Sequence, residues 1–590
     1  MNTSAENRTY YYTLGWERPN EHNYQVSFTT EKSAGEVTNF RIPAWRPGRY
    51  ILQNFASSIS RFKAVDEAGK TLSWKKTDKD TWQIKNPSGK KITISYIFYA
   101  NILDAGSSIL TPGQAYFNPA NLFMYVEENY DAPCTLEIKN LPADWKIASA
   151  LLKTEQRNVL RAESYHDFID SPTILSPTLK QFSFQVEGVN YYVHFQGKYG
   201  ATPEDERGYV DQVTKIIREQ AAIFGGKVPL KEYHFIYQLC SFRIRHAVEH
   251  TYSSMYALPE NVAEANSKFG GLMSITSHEF WHLWNVKRIR PAALVPYQYR
   301  TEAYTGMHWF TEGVTSYYTD LALVRGGIYS RQDFLNLASD LFQGLENSHA
   351  ATVVSCVHSS FDSWLTTSNY VNPYHRISFY DLGHRSGMLL DLKLIAMTNG
   401  KVRLDDVFVD LYNTYYAKGA GYPEDGVQKS AEKLTGKSLQ SFFDDYVNGT
   451  KAIDYQEFLS PFGIETVIES EKNASYRTIG IDKMDFAMGE TIIGMIRPGS
   501  DAADAGLCDK DIVKEINGKP VGSIQPEDFF AQLKLNSTFT IKVISEGKEK
   551  VAEVKYTGKT HPKTLDLKIS EKLTPSQKQN LDAWLNSRVK

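Results

Sequence analysis

The sequence predicts a multidomain α+β protein. An all-β, sandwich-like unit comes first, a mainly helical unit follows, and a small β/α unit lies near the C-terminus. Three observations carry this prediction. Alternating segments such as YQVSFTT (24–30), TWQIKN (81–86) and KITISYIFYA (91–100) recur through the first 185 residues. They are divided by turn signals at Glu67-Ala68-Gly69-Lys70 and Pro87-Ser88-Gly89, the pattern of many short strands in a sandwich. Near residue 203 the apolar period changes from two to helical spacing, and after about 475 short strand patterns return. A chain of 590 residues is also too long for a single hydrophobic core.

The elements follow in order. Pro203-Glu204-Asp205-Glu206 supplies the acidic first turn of a helix, and YVDQVTKIIREQAAIF continues it with apolar residues at helical spacing. One more strand, YHFIYQL (233–239), precedes a mainly helical stretch to about 450. A linker over about 465–475, containing EKNASY, leads into TIGIDK, ETIIGMI, DIVKEING and FTIKVISEG, strands separated by Gly, Pro and Asn-Gly turns. In the tail, Thr574 reads as an N-cap and Pro575 as the first helical residue of TPSQKQNLDAWL.

Composition narrows the function classes. The formal charge of −3 at 23% charged residues gives no reason to expect a nucleic-acid or anionic-membrane partner. The longest apolar run, MLLDLKLIAM (388–397), is interrupted by Asp391 and Lys393, so no membrane span is expected. The start, MNTSAENRTYYY, lacks the basic head and apolar core of a signal peptide. That leaves a cytoplasmic protein, or a periplasmic or secreted one whose signal has been removed. Cys134, Cys240, Cys356 and Cys508 are scattered, so a disulfide framework is not expected and any zinc must be held by His and carboxylate.

The chemistry concentrates in SHEFWHLWNVKRIRP (277–291). Residues four apart on a helix share a face, with Cβ atoms about 5–6 Å apart, so His278 and His282 can chelate one metal ion. Glu279, one position round, can reach a metal-bound water as general base. The competing explanation is a buried helix whose histidines happen to fall four apart. A catalytic zinc needs three protein ligands and one open position. Glu312, thirty residues after His282 in HWFTEGVTSYYTDL, supplies the third from a second amphipathic helix. Asp320 either orients a ligand histidine from behind or is an ordinary surface carboxylate. Lys287, Arg288 and Arg290 read as cations complementing a helix C-terminus before Pro291 stops it; a contact from one of them to a substrate carboxylate is the second reading.

These motifs, with AVEHTYSS (247–254), WFTEG, RIPAWRPGRYILQNFASSISRFKA (41–64), ISFYDLGHRSGMLLDLKL (377–394) and DAADAGLCDKDIVKEINGKPV (501–521), together resemble the glycyl aminopeptidase family of gluzincin zinc metallopeptidases. The resemblance covers almost the whole chain. It implies an N-terminal β-domain over 1–185, a thermolysin-like catalytic domain over 186–465, a PDZ-like domain over 475–558 and a tail with a short helix over 559–590. It implies that His278, His282 and Glu312 hold Zn2+ and that Glu279 activates the water. Glu249, in the place of the family's Gly-Leu-Glu-His motif, would bind the substrate's α-amine, which fixes the chain end near the metal. This chain has Ala247-Val248 where the family tends to have Gly-Leu. Tyr380, second of an aromatic pair before Gly383, would support the oxyanion, with Leu382 where Lys is usual.

The expected activity is therefore a zinc aminopeptidase acting on peptides, with small first residues, Gly or Ala, preferred. Two alternatives stand beside it: a zinc endopeptidase without amine anchoring, and a non-catalytic scaffold that binds peptides through the PDZ-like unit. That unit takes either a peptide or an intramolecular partner. Oligomeric state stays open.

Overall fold

The computed structural model describes residues 9–30, 36–86, 91–126, 129–262, 270–368, 370, 372–472 and 475–589. The Pro87-Ser88-Gly89 turn, the first eight residues and Asn473-Ala474 of the expected linker lie outside them.

The first unit is β-rich, as expected. Strands Tyr10–Gly15, Asn23–Thr30, Ile92–Tyr99 and Ile59–Asp66 lie side by side in a seven-stranded sheet, with Cys134–Ile138 added parallel to the first. Two four-stranded sheets complete the unit. Alternate residues point inward, so Tyr10, Tyr12 and Leu14 pack on Tyr24, Val26 and Phe28. The turn at 67–70 forms because Asp66 Oδ1 accepts the amides of Ala68 and Lys70, with Gly69 at φ +78°.

This core does not stop at the domain edge. Val286, Leu294, Tyr297, Tyr299 and Trp364, all from the helical unit, pack into it. Trp45 Nε1 donates to the carbonyls of Gln298 and Thr301. The first and second units therefore share part of one apolar core.

The boundary expected at 185 falls inside a hairpin. Strand Lys180–Val186 pairs with Val189–Gln196, and both belong to a five-stranded sheet completed by Glu232–Cys240, Ser253–Pro259 and His246–Glu249. Strand 253–259 is buried on both faces and lacks alternation, and 246–249 is a four-residue edge strand, too short to show a period. Helix Pro203–Ile223 covers this sheet and begins with a capping box between Thr202 and Asp205.

The end of the chain returns to the helical unit. Strand Ile464–Ser470, in the expected linker, pairs antiparallel with Lys563–Ile569. The outer edge of the second strand is met by helix Arg331–Glu346 and the residue that caps it. Ser339, Gln343 and Asn347, four residues apart, accept the amides of Leu567, Leu565 and Lys563, so the edge amides are satisfied without another strand. The unit between these strands has its own core, built from Ile479, Ile493, Val513, Phe530, Ile541 and Val554.

Helix Pro575–Leu585 starts as expected, with Thr574 and Gln577 forming a capping box. It is not a free tail. Trp584 is fully buried between Phe334 and Phe462, and its indole donates to Tyr317 Oη at 2.7 Å. Arg325 donates to the Trp584 carbonyl and pairs with Asp405, which also receives Arg588 at 2.7 Å. No helix among the described residues is long and apolar enough to cross a membrane.

Removing the Trp584 side chain leaves a large cavity and strands a hydroxyl partner. Trp584→Ala is expected to cost about 3–5 kcal/mol, read as a lowered urea midpoint followed by the buried tryptophan signal of the helical unit.

Candidate metal and catalytic site

Helix Gly270–Trp281 carries His278 and Glu279. Its regular part ends one residue before His282, whose amide still bonds the His278 carbonyl at 3.4 Å, so the i, i+4 alignment is kept. Each imidazole is oriented from behind through Nδ1. His282 Nδ1 donates to the Asn285 backbone carbonyl at 2.6 Å. His278 Nδ1 faces Thr319 Oγ1 at 3.2 Å, and that hydroxyl donates to the Thr315 carbonyl, leaving its lone pair to accept. In the neutral imidazoles that a metal requires, Nδ1 keeps the proton and both Nε2 lone pairs turn toward Glu312.

Thr319 thus takes the orienting position considered for Asp320. Asp320 instead faces His384 at 3.9 Å, and burial pushes its carboxyl up to about 7.

Glu312 comes from a wider turn than expected. Residues Trp309–Val314 form a π-helical segment before the regular helix Thr315–Arg325, and such turns leave a carbonyl without its usual partner. The Asn285 amide fills the need, donating to the Phe310 carbonyl at 2.8 Å and to Thr315 Oγ1 at 3.1 Å. Asn285 therefore ties both metal-facing elements together. Its only sequence signal is a polar residue in an otherwise apolar run.

The three donors converge. Glu312 Oε2 lies 3.8 Å from His278 Nε2 and 3.4 Å from His282 Nε2. Four ligands about 2.0–2.1 Å from a tetrahedral zinc stand about 3.3 Å apart, so the set fits Zn2+. Glu312 Oε1 has no partner among the described residues. Burial works against charge on Glu312, but His282 and His278 outweigh it and bring the carboxyl down to about 2. His282 moves up to about 10 against burial because of Glu312.

Glu279 and Glu249 complete the floor. A second group of donors, Glu249, Glu279 and His282, has one atom of each within 4.8 Å of the others. Both carboxylates are buried, and Glu249 Oε1 has no hydrogen-bond partner among the described residues. Burial pushes Glu279 well above the ordinary carboxylic range; His282 opposes this, while Glu249 and Glu312 add to it. Two close buried carboxylates call for a cation between or beside them.

Glu249 ends the edge strand of the five-stranded sheet, and the next residues are held by Asp170 of the N-terminal unit. Asp170 accepts His250 Nδ1 at 2.9 Å, Thr251 N at 2.9 Å and Thr251 Oγ1 at 2.7 Å. Lys287 reaches the same carboxylate at 2.9 Å with its side chain 1% exposed. Lys287 is thus a buried ion-pair partner and not a helix-end cation. Arg288 and Arg290 do meet backbone carbonyls, those of Leu283, Val286 and Lys287.

Tyr380 lies on the first turn of helix Phe379–Thr398, capped by Ser378. Its ring is 6.2 Å from that of His278. The residue is 37% exposed in the open cleft, yet desolvation on its inner side, reinforced by the charges of Glu312, Glu249 and Glu279, raises its phenol above the ordinary value. The helix comes this close because glycines face each other: a Cβ on Gly313 would lie 2.5 Å from Gly383 Cα, and one on Gly383 would overlap the Trp309 carbonyl.

With this geometry in view, similarity to known proteins can be stated. Residues 11–177 match the family model described as Peptidase M61 N-terminal domain, and residues 271–385 match M61 glycyl aminopeptidase. An aminopeptidase N family protein from Idiomarina loihiensis has a similar structure, with TM-score 0.83 at 23% identity over 98% of this chain and 100% of that one. That likeness shows a shared fold. An M1 zinc metallopeptidase from Deinococcus radiodurans aligns with TM-score 0.48 at 14% identity, over 76% of this chain and 94% of that one. No curated protein matches the chain in sequence.

The Asp170 contacts generate a test. Its carboxyl is depressed below the ordinary range: burial opposes this, and Lys287 and His250 outweigh burial. A depressed folded pKa contributes stability that is present above the unfolded value, about 3.9, and is lost as pH falls toward the folded one. Asp170→Asn should cost about 3–5 kcal/mol at neutral pH by leaving Lys287 buried and unpaired. Chemical melts across pH should show the gap to the unmodified protein narrowing below about pH 4.

Proposed function

We propose that this zinc metalloaminopeptidase, which carries the N-terminal and catalytic modules of the M61 glycyl aminopeptidase family, releases small N-terminal residues, Gly or Ala, from peptides. The observation that carries this reading is the arrangement of four carboxylate and imidazole groups around one point. His278, His282 and Glu312 form a three-donor set, and Glu249 stands beside it with an unpaired, buried oxygen. When bound by those three residues, zinc lowers the pKa of a water and polarises the scissile carbonyl.

The chain's own residues do the rest. Glu279, with its pKa raised by burial, takes a proton from the attacking water and delivers it to the leaving amine. Tyr380 remains a neutral phenol and donates to the oxyanion, where charge develops mainly in the transition state. Glu249 accepts from the substrate's α-ammonium, which offsets the repulsion between it and Glu279 and sets the first residue in register. The preference for small residues is supported by crowding at this end: Gly48, at φ +82°, brings backbone so near that a Cβ would lie 2.5 Å from Glu249 Oε2.

We read the unit over 475–558 as PDZ-like. Its strand Ile481–Ala487 is the edge of the sheet, where an extended peptide would add. Arg497 bonds Asp482 within the unit and the Asn347 carbonyl of the helical unit, which supports an intramolecular docking role alongside peptide binding.

Two outcomes test the main reading. Glu279→Gln should lower turnover of alanine p-nitroanilide by about 10²–10⁴-fold while metal analysis still finds zinc; near-normal turnover would remove Glu279 as the base. An N-acetylated peptide should be cleaved far more slowly than its free-amine parent. Equal rates would replace the aminopeptidase with the endopeptidase alternative.

A further inference from the structure

The segment Trp45-Arg46-Pro47-Gly48-Arg49-Tyr50 belongs to the N-terminal unit, yet it ends in the catalytic cleft. Arg49 N donates to the Arg46 carbonyl at 3.3 Å, with Pro47 and Gly48 between them and Gly48 at φ +82°. That is a turn requiring a positive φ at its third residue, which glycine supplies. The start of the turn is clamped. Trp45 is bonded to the Gln298 and Thr301 carbonyls. Arg46 is buried and donates to the Gly106 and Pro47 carbonyls.

The clamped turn brings Gly48 against the Glu249 carboxylate and sends Tyr50 inward. The Tyr50 ring stacks on His308 with centroids 3.6 Å apart, and His308 lies four residues before Glu312 on the turn that presents the metal ligand. Tyr50 is 5% exposed, and its hydroxyl has no hydrogen-bond partner among the described residues. A buried hydroxyl without a partner is destabilising, and phenylalanine would fill the same stack without that cost. The unmet demand therefore points into the cleft.

Two features place the hydroxyl more closely. Burial raises its pKa, and the charges that add to this are Glu312, Tyr297, Glu249 and Tyr380; the group stays a neutral phenol that can both donate and accept. Its turn carries Gly48 against the amine-side carboxylate, Glu249, and its ring lies on His308, four residues before Glu312, so the residue borders the space that the first residue of a bound peptide would fill. The carbonyl side already has Tyr380. An ammonium offers three N–H donors, more than the Glu249 carboxylate meets in one plane.

We propose that Tyr50, supplied by the N-terminal domain, is a substrate-binding residue of the first subsite whose phenolic oxygen accepts a hydrogen bond from the substrate's free α-ammonium beside Glu249. This rests on the aminopeptidase reading above. It makes the N-terminal domain part of the binding site and not only its support.

The test compares Tyr50→Phe with the unmodified protein, both zinc-loaded, on glycine and alanine p-nitroanilides. The ring and its stack on His308 are kept, so zinc content should not change and the melting temperature should not fall. KM should rise about tenfold or more, as expected for losing a hydrogen bond to a charged group, with kcat within about threefold. Inhibition by glycinamide, which needs no turnover, should weaken by the same factor, and N-acetylglycinamide should inhibit neither protein. An unchanged KM and glycinamide affinity overturn the proposal, as does a fall in kcat alone. If the unmodified protein fails to prefer free amines, both this assignment and the aminopeptidase reading fall. If it prefers them and Tyr50→Phe binds normally, only the assignment falls.

Discussion

A single carboxylate from the N-terminal domain fixes the relation between the two halves of the catalytic cleft. Asp170 sits at the end of helix Tyr165–Ile169 and receives the residues that directly follow Glu249 as well as the lysine that follows the metal-binding histidines. Neither group belongs to the same element as the other. Without a shared anion between them, the edge strand ending in Glu249 and the chain leaving His282 would have no common reference. Because Lys287 and Asp170 are both withdrawn from water, the pair is stringent: each charge is tolerable only while the other is present. The interdomain core around Trp45, Tyr297 and Tyr299 packs beside this contact.

A second constraint acts between helices. Glu312, the proposed metal ligand, and the phenol of Tyr380 come from elements that touch through Gly313 and Gly383 with no side chain between them. Asn285 holds the widened turn bearing Glu312, while Thr319 and the Asn285 carbonyl hold the two imidazoles. These supports are short, polar and local. They leave the donor atoms little freedom to rotate, which suits a site that must meet a metal at a set spacing.

Much of this was legible in the sequence because it depends on local spacing. The HExxH repeat, the Thr574–Pro575 helix start and the alternating strands of the first unit follow from helix and strand periods, and the structure places His278, Glu279, His282, Glu312, Glu249 and Tyr380 around one cleft. The supports were not legible. Asp170, Thr319 and Asn285 act across 30 to 117 positions or through backbone carbonyls, and no period encodes such contacts. Asp320 was considered for the orienting role because a carboxylate is a common histidine partner; the neighbouring Thr319 has the direction the helix face requires. Lys287 looked like a helix-end cation because its partner lies in another domain. Tyr50 was within a recognised stretch, but nothing in that stretch says that its turn ends against Glu249.

The position of Trp584 has a consequence for the order in which the protein can assemble. The core under Tyr317 and Arg325 receives its last large side chain, and Asp405 its second arginine, from residues 584 and 588. Translation delivers these only after the whole unit over 475–558 has emerged. A nascent chain that has already made both histidines and Glu312 still lacks the tryptophan that closes the helical layer behind them. Closure of that layer thereby waits on a side chain 267 positions downstream of Tyr317.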